Sequence, residues 1–425
     1  MNPIFAVLVL LLVVAQLVLP RRYAFAPLLV TACHLGNGEF IGELTPARVL
    51  ILLGLARAVA TGQFRWSPSN RIDLCFAFFA VAALATAVAH QEALYNPYVA
   101  NCGLILNVCG TYLYGRAYLR GEDWPLHLAT VTALVVIPLG LLILAENLTA
   151  KNYYSAIGIT GAEVMERESG IRARGPFSHP ILGGTAGAVC LPLCMILWQS
   201  RRWLAKAGLA ACAMIVYGSG SSGPMAAAIA SCGLLWFWRK RHLLPRVKYG
   251  VILVIIFLTL YMDRPFYYII DSIDLAGGST GWHRARLIEM GIEHLSEWWL
   301  AGTDFTKHWM PTGVSWNPNH TDITNYYLHL GVIGGLPLML ALIAIIYLCF
   351  RNLLNHIGIV PGEDKPQEFT LWCLGTALFA HALSFVSISY FDQMYVLFYL
   401  LIGGISGIQE YADGGDLTEE ENETV

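Results

Sequence analysis

The feature that most restricts this chain is the recurrence, almost from end to end, of apolar stretches long enough to cross a bilayer. A spanning helix needs about 20 mostly apolar residues. Such stretches fall at 3–20, 45–62, 74–90, 99–118, 128–145, 181–199, 205–217, 223–238, 249–262, 325–350, 370–388 and 393–409. Inside lipid, backbone polar groups must be satisfied within the segment, so each stretch is read as a helix. Charge supports this: 13% of the 425 residues are charged and 56% hydrophobic, against roughly 25% charged in ordinary globular domains. The expected fold is all-α, a polytopic transmembrane bundle of about twelve spans. The integral membrane domain covers 1–409, and 410–425 is an acidic cytoplasmic tail containing Glu419-Glu420-Glu421. Phe25 to Gly36 is apolar but short, and reads either as a re-entrant piece or as an extension of the first span. Met1 to Pro20 lacks a basic start and is read as that first span rather than a cleavable signal.

The ten cysteines fall in or beside apolar segments and none forms a Cys-x-x-Cys pair. They read as small packing residues. Among intramembrane polar residues, Asn107 reads as an interhelical hydrogen bond and His381 as packing, with no role assigned to Gln393.

Basic loops set the orientation. The clusters around Arg65, Arg116, Arg201, Arg239 and Arg351 fall on one side of a twelve-span count, with Arg21 and Arg22 dissenting. That side is expected to be cytoplasmic. Two long loops then lie outside, 146–180 and 263–324, and long connections in compact proteins tend to be functional. They carry Arg172, Arg174, Arg264, Arg284, Arg286 and Lys307. Outer cations do not help insertion. They either pair with local acids such as Glu163, Glu166, Asp271 and Asp274, or form a phosphate site, because guanidinium forks match phosphate oxygens. The tyrosines and tryptophans of these loops, including Trp298, Trp309 and Trp316, read first as an interface belt and second as sugar platforms.

Helical spacing over 284–299 separates two arginines. Arg286 falls beside Glu289 and Glu293, an ordinary surface ion pair; Arg284 falls with Ile288, Ile292 and Trp299, toward protein, headgroups or substrate. Further on, Asn319 after Pro318 reads as an N-cap, so a helix is expected to start at His320. The positive end of that helix would keep the imidazole neutral and able to accept a proton. His320, Thr324, Tyr327, Gly331 and Gly334 or Gly335 would share a face, with glycines allowing close helix approach. A cation followed by a histidine at the mouth of a membrane helix suits sugar transfer from a charged lipid: the leaving phosphate needs an arginine and the attacking hydroxyl a base.

His320, then Asn325-Tyr326-Tyr327-Leu328, then Gly331-Val332-Ile333-Gly334, resembles the signature of the O-antigen ligase and polysaccharide polymerase superfamily, with Gly331 eleven residues past the histidine. Thr321 stands where that family commonly has Asn. Ser279-Thr280-Gly281 with Arg284 and Gly302, Arg174-Gly175-Pro176-Phe177-Ser178-His179-Pro180, and Ser219-Gly220-Ser221-Ser222-Gly223 are similar to three further family stretches. In the last, Ser222 stands at the family's arginine. The resemblance implies a bacterial inner-membrane glycosyltransferase without metal or other cofactor, its active site facing the periplasm. His320 and Arg284 would be catalytic, and Arg174, Arg172, Ser222, Asp322, Asn325 and Tyr327 would bind substrate. The donor would be an undecaprenyl-pyrophosphate-linked glycan and the acceptor another lipid-linked repeat unit. The alternative is a ligase with lipid A-core as acceptor, and a more distant one a glycan or lipid transporter, marked by discontinuous helices. A chain-length regulator and a flippase are the implied protein partners, the bilayer the surroundings, and nucleic acid is not expected. From the residues themselves, no Asp-x-Asp, P-loop, Rossmann glycine fingerprint or His-Glu-x-x-His is present.

Overall fold

The computed structural model describes residues 2–36, 44–63, 70–167, 170–275, 281–311, 313–314, 317–358 and 365–408. Residues 278–280 of the motif ahead of Arg284, Trp316 and the acidic tail lie outside the described residues. Each of the twelve apolar stretches is helical. In chain order the helices are α1 (Pro3–Val18), α2 (Ala26–His34), α3 (Pro46–Ala60), α4 (Arg71–Thr86), α5 (Pro97–Ile105), α6 (Thr111–Tyr118), α7 (Trp124–Thr149) and α8 (Pro180–Met195). They continue as α9 (Arg202–Gly218), α10 (Ser222–Phe237), α11 (Leu244–Tyr261), α12 (Gly281–Glu293), α13 (Leu295–Trp298), α14 (Tyr326–Asn355), α15 (Pro366–Ser384) and α16 (Met394–Ser406). Among the described residues, five helical stretches are long and apolar enough to cross a membrane: Arg71–Ala89, Trp124–Thr149, Pro180–Trp198, Ser222–Tyr261 and Tyr326–Asn355. The chain is thus mostly helical and membrane-adapted in composition.

Local chemistry starts these helices. Asn2-Pro3, Thr45-Pro46, Asn96-Pro97 and His179-Pro180 each place a side-chain acceptor at the cap and a proline at the first helical position. The cap satisfies an orphan N–H, and proline's fixed φ costs nothing where no N–H is needed. Packing then runs α7 on α9, α8 against both α9 and α10, α4 on α14 and α6 on α16. The last pair approaches through glycine: a Cβ on Gly403 would lie 2.7 Å from the Cα of Gly115. By contrast α11 buries no residue and lies at the periphery of the helical body.

Residues 25–36 do not continue α1, which ends at Val18 before the turn Arg21–Tyr23. They form the separate helix α2, walled in by α1, α3 and α7, with His34 bonding the Tyr154 hydroxyl at 2.7 Å and the Val135 carbonyl at 3.0 Å. Asn107 sits in a π-helical turn between α5 and α6 and accepts from Arg48 Nε at 2.9 Å. His381 is buried against the Tyr390 hydroxyl at 2.7 Å, a packing role.

The two long loops add two short antiparallel ribbons to the helical body: β1 (Met165–Arg167) with β2 (Gly170–Arg172), and β3 (Gly313–Val314) with β4 (Asn317–Thr321). The longer loop also has a core of its own, in which Leu287, Met290, Trp298, Trp309 and Met310 pack on Leu328 and Val332 of α14. Trp298 and Trp309 are therefore interior residues of the loop, not members of an interface belt.

Two expectations about this loop are corrected. Helix 284–299 ends at Glu293, and α13 follows as a separate turn. No helix starts at His320, which lies in β4; α14 begins at Tyr326, with Asn325 as its cap accepting from Leu328 N–H at 3.1 Å. Pro318 pushes Asn317 into the extended region, and the Thr306 N–H then claims the Asn319 carbonyl at 2.9 Å. Backbone pairing from an element eleven or more residues away overrides the local cap signal.

Candidate functional site

A cavity of about 790 Å³ opens among the two long loops and the neighbouring helix ends. Its wall includes Arg172, Ser222, Arg284, His320 and Asp322. These residues come from β2, α10, α12 and the stretch around the end of β4, and the fold brings them together. Its volume falls within the range typical of small-molecule sites, roughly 300–1,000 Å³.

Arg172 closes β2 and is buried. Its Nη2 donates to Ser221 Oγ at 2.6 Å and its Nε to the Ser219 carbonyl at 3.2 Å. Gly220, at φ +51°, makes the tight turn over the arginine stem: a Cβ there would sit 3.2 Å from Arg172 Cγ. Arg172, two residues ahead of the 174–180 motif, thus meets the 219–223 motif directly. Ser222, where the resembling family has arginine, bonds the Asp274 carboxylate at 3.3 Å and accepts from the Leu275 N–H at 3.2 Å. Asp274 consequently ties the loop to α10 rather than merely solvating it. Arg284 projects from α12 toward the 385–393 connection, its Nε donating to the Ser387 carbonyl at 3.2 Å. Arg286 pairs with Glu289, as its helical spacing predicts. Tyr268 donates to the same carboxylate at 2.6 Å, and these two donors hold Glu289 below the usual carboxylate range.

His320 is oriented by Thr306, whose Oγ1 lies 3.1 Å from Nδ1 and also accepts the Thr321 N–H. Burial holds the imidazole below its ordinary value near 6.5; the Asp304 charge opposes this shift and His90 adds to it. Desolvation, not a helix end, is what favours the neutral ring. Asp322 is pushed up by burial, with His283 pulling the other way.

Three sequence-derived candidates lie elsewhere. Arg174 donates through Nη2 to the Gly161 carbonyl at 2.9 Å, while its backbone N–H is held by Glu146. Asn325 caps α14, and the Tyr327 hydroxyl donates to the Ala382 carbonyl at 3.0 Å. None of the three is among the cavity residues.

Other contributors carry no local sequence signal. His90, just past α4, lies 2.6 Å from Asp304 through Nδ1, and its Nε2 faces the carbonyls of Ile333 (2.7 Å) and Ala301 (3.0 Å). The Ile333 carbonyl is exposed because α14 breaks: Gly334 and Gly335 leave helical geometry, Gly335 at φ +71°. The expected continuous span 325–350 is therefore two helical pieces. The freed groups find partners in the loop, with Leu336 N–H donating to the Trp299 carbonyl at 2.8 Å and Thr303 N–H to the Val332 carbonyl at 2.9 Å. That accounting is what an apolar setting demands. Ser387, Ser389 and Asp392 line the wall from the α15–α16 connection, and Asp392 accepts from both the N–H and the hydroxyl of Ser178 at 2.9 Å.

Four helices begin at the cavity: Pro97 of α5, His179 and Ile181 at α8, Ser221 and Ser222 at α10, and 322–324 ahead of α14 all contribute to its wall. Helix N-termini carry partial positive charge and unsatisfied N–H groups, so they favour anions. With two guanidinium groups, a neutral histidine and several hydroxyls, the cavity can hold an anionic headgroup beside a hydroxyl-bearing reactant. Comparison with protein-family models, with curated proteins and with solved structures gives no match.

Proposed function

We propose that the chain is an extracytoplasmic glycosyltransferase that extends a surface polysaccharide from undecaprenyl-pyrophosphate-linked repeat units, embedded in a bacterial inner membrane through about twelve spans. The observation that carries this reading is the convergence of Arg172, Arg284 and His320 on one cavity ringed by helix N-termini. Arg172 and Arg284 hold the donor's diphosphate, with Ser222 and the α8 and α10 ends adding N–H and hydroxyl donors. His320, bonded through Nδ1–H to Thr306, presents Nε2 as base. The acceptor hydroxyl attacks the anomeric carbon, its proton passes to Nε2, and the bond to the pyrophosphate oxygen breaks as the lipid diphosphate leaves. Asp322 accepts from a sugar hydroxyl.

The test uses the purified full-length protein with a lipid-pyrophosphate-linked repeat unit. A ladder of lengthening products supports polymerisation. A single transfer to lipid A-core makes the protein a ligase, and no transfer to either acceptor refutes the enzyme. One observation favours a second reading, a carrier of the same lipid-linked glycan: the break in α14 at Gly334-Gly335, a device found in transporters. Movement of labelled lipid-linked glycan across proteoliposomes without glycan extension would favour the carrier.

A further inference from the structure

Outside the cavity, the same outer loop carries a second group of polar side chains. His294 follows α12, Glu297 lies in α13 and His308 in the 3-10 turn Lys307–Trp309. His294 Nδ1 lies 2.6 Å from Glu297 Oε1, and His308 Nε2 lies 3.0 Å from Oε2. Trp309 Nε1 donates to Oε2 at 3.1 Å. A carboxylate only accepts, so both imidazole nitrogens must carry protons in this arrangement. Three N–H groups from separate side chains thus converge on one carboxylate at the solvent edge.

Replacing those two imidazole protons with a metal ion requires little movement. The three candidate ligand atoms lie within 4.8 Å of one another. Tetrahedral coordination with bonds of about 2.0–2.1 Å needs ligand atoms roughly 3.4 Å apart. The His308 side chain, 50% exposed, is able to swing by that difference. The backbone beneath is fixed: Trp298 anchors α13 by donating to the Gly291 carbonyl at 2.8 Å, and the His294 ring stacks on Trp309. We infer that His294, Glu297 and His308 form a site for a divalent transition metal, zinc foremost. Two imidazoles and a carboxylate suit zinc and its neighbours and do not suit magnesium or calcium, which prefer all-oxygen shells. The fourth position faces solvent.

The ion's role is to fasten the loop. The Trp309 N–H bonds the Thr306 carbonyl at 3.0 Å, and the Thr306 hydroxyl in turn contacts His320. A metal held at 294, 297 and 308 therefore locks the turn that orients the cavity histidine. That last consequence rests on the proposed transfer reaction; metal uptake itself does not.

The experiment takes the full-length protein in detergent, purified without a histidine tag, stripped with EDTA and titrated with Zn²⁺ or Co²⁺. About one zinc per chain is expected, together with visible Co²⁺ absorption and a rise in thermal midpoint that Mg²⁺ does not reproduce. H308A and H294N are each expected to lose at least about tenfold in zinc affinity while keeping the metal-free midpoint of the wild type. Equal zinc uptake by wild type and both variants, or none by the wild type at micromolar zinc, overturns the site. H320A retaining normal zinc binding separates a failure of this inference from a failure of the transferase reading.

Discussion

Two histidine groups meet on the long 263–324 loop, one of them completed by His90 from the end of α4, and they differ in where the carboxylate lies. At the rim, Glu297 touches both His294 and His308, so the imidazoles share its charge and form a donor-rich, ion-ready group. In the cavity, Asp304 is taken by His90 at 2.6 Å and by the Glu92 N–H at 3.1 Å. His320 bonds instead to a hydroxyl, and burial then decides its protonation. A hydroxyl partner and a dry wall favour the neutral ring there. The arrangement of neighbours, more than the residue type, is what sets the proposed base apart from the proposed ligands.

The sharpest way to break this contrast is substitution. H320A and R284A are each expected to lower glycan transfer by about 10²–10⁴-fold, with membrane insertion retained, while H294N costs only a few-fold; comparable losses in all three would erase the distinction. Next in size is G302A. Gly302 has φ +90°, and a Cβ would lie 2.2 Å from the Val332 carbonyl oxygen. Backbone strain of roughly 1–3 kcal/mol, with the clash added, should lower the thermal midpoint in detergent and loosen both clusters together. Unchanged stability would mean that the loop is not seated on α14 as described.

A smaller effect concerns pH. Transfer needs the neutral ring, and its affinity for protons is depressed, so the acid limb of the rate profile should fall below pH 6.5. In D304N the limb should move lower still, because the nearby charge that favours the protonated ring is gone. A limb above 6.5 would exclude His320 as the base. The smallest change is expected from R174A, which lies outside the cavity wall and should alter transfer by no more than a few-fold. A loss matching that of R284A would place Arg174 back among the anion-holding groups.

What the chain's letters settled is the helical body. Twelve apolar runs became helices because a segment rich in leucine, valine and alanine has no lower-energy way to satisfy its backbone in an apolar setting. Motif order drew attention to the stretches that hold Ser222, Arg284 and His320, but it did not separate the cavity-lining Arg172 and Asp322 from Arg174, Asn325 and Tyr327, which lie elsewhere; simple helical spacing gave the Arg286–Glu289 pair. Long-range structure decided the rest. His320 is an extended residue because Thr306 pairs with its strand, and α14 breaks because His90 and the 299–303 turn supply partners for the groups released. Asp392 and Ser387 enter the wall from a connection far along the chain, and His294, Glu297 and His308 meet only after α13 folds back onto α14. Apolar periodicity is a local property that each segment carries alone, whereas burial, hydrogen-bond exchange and the distance between two charges exist only once segments pack. Those three quantities favour the neutral ring at His320 and bring His294, Glu297 and His308 within reach of one another.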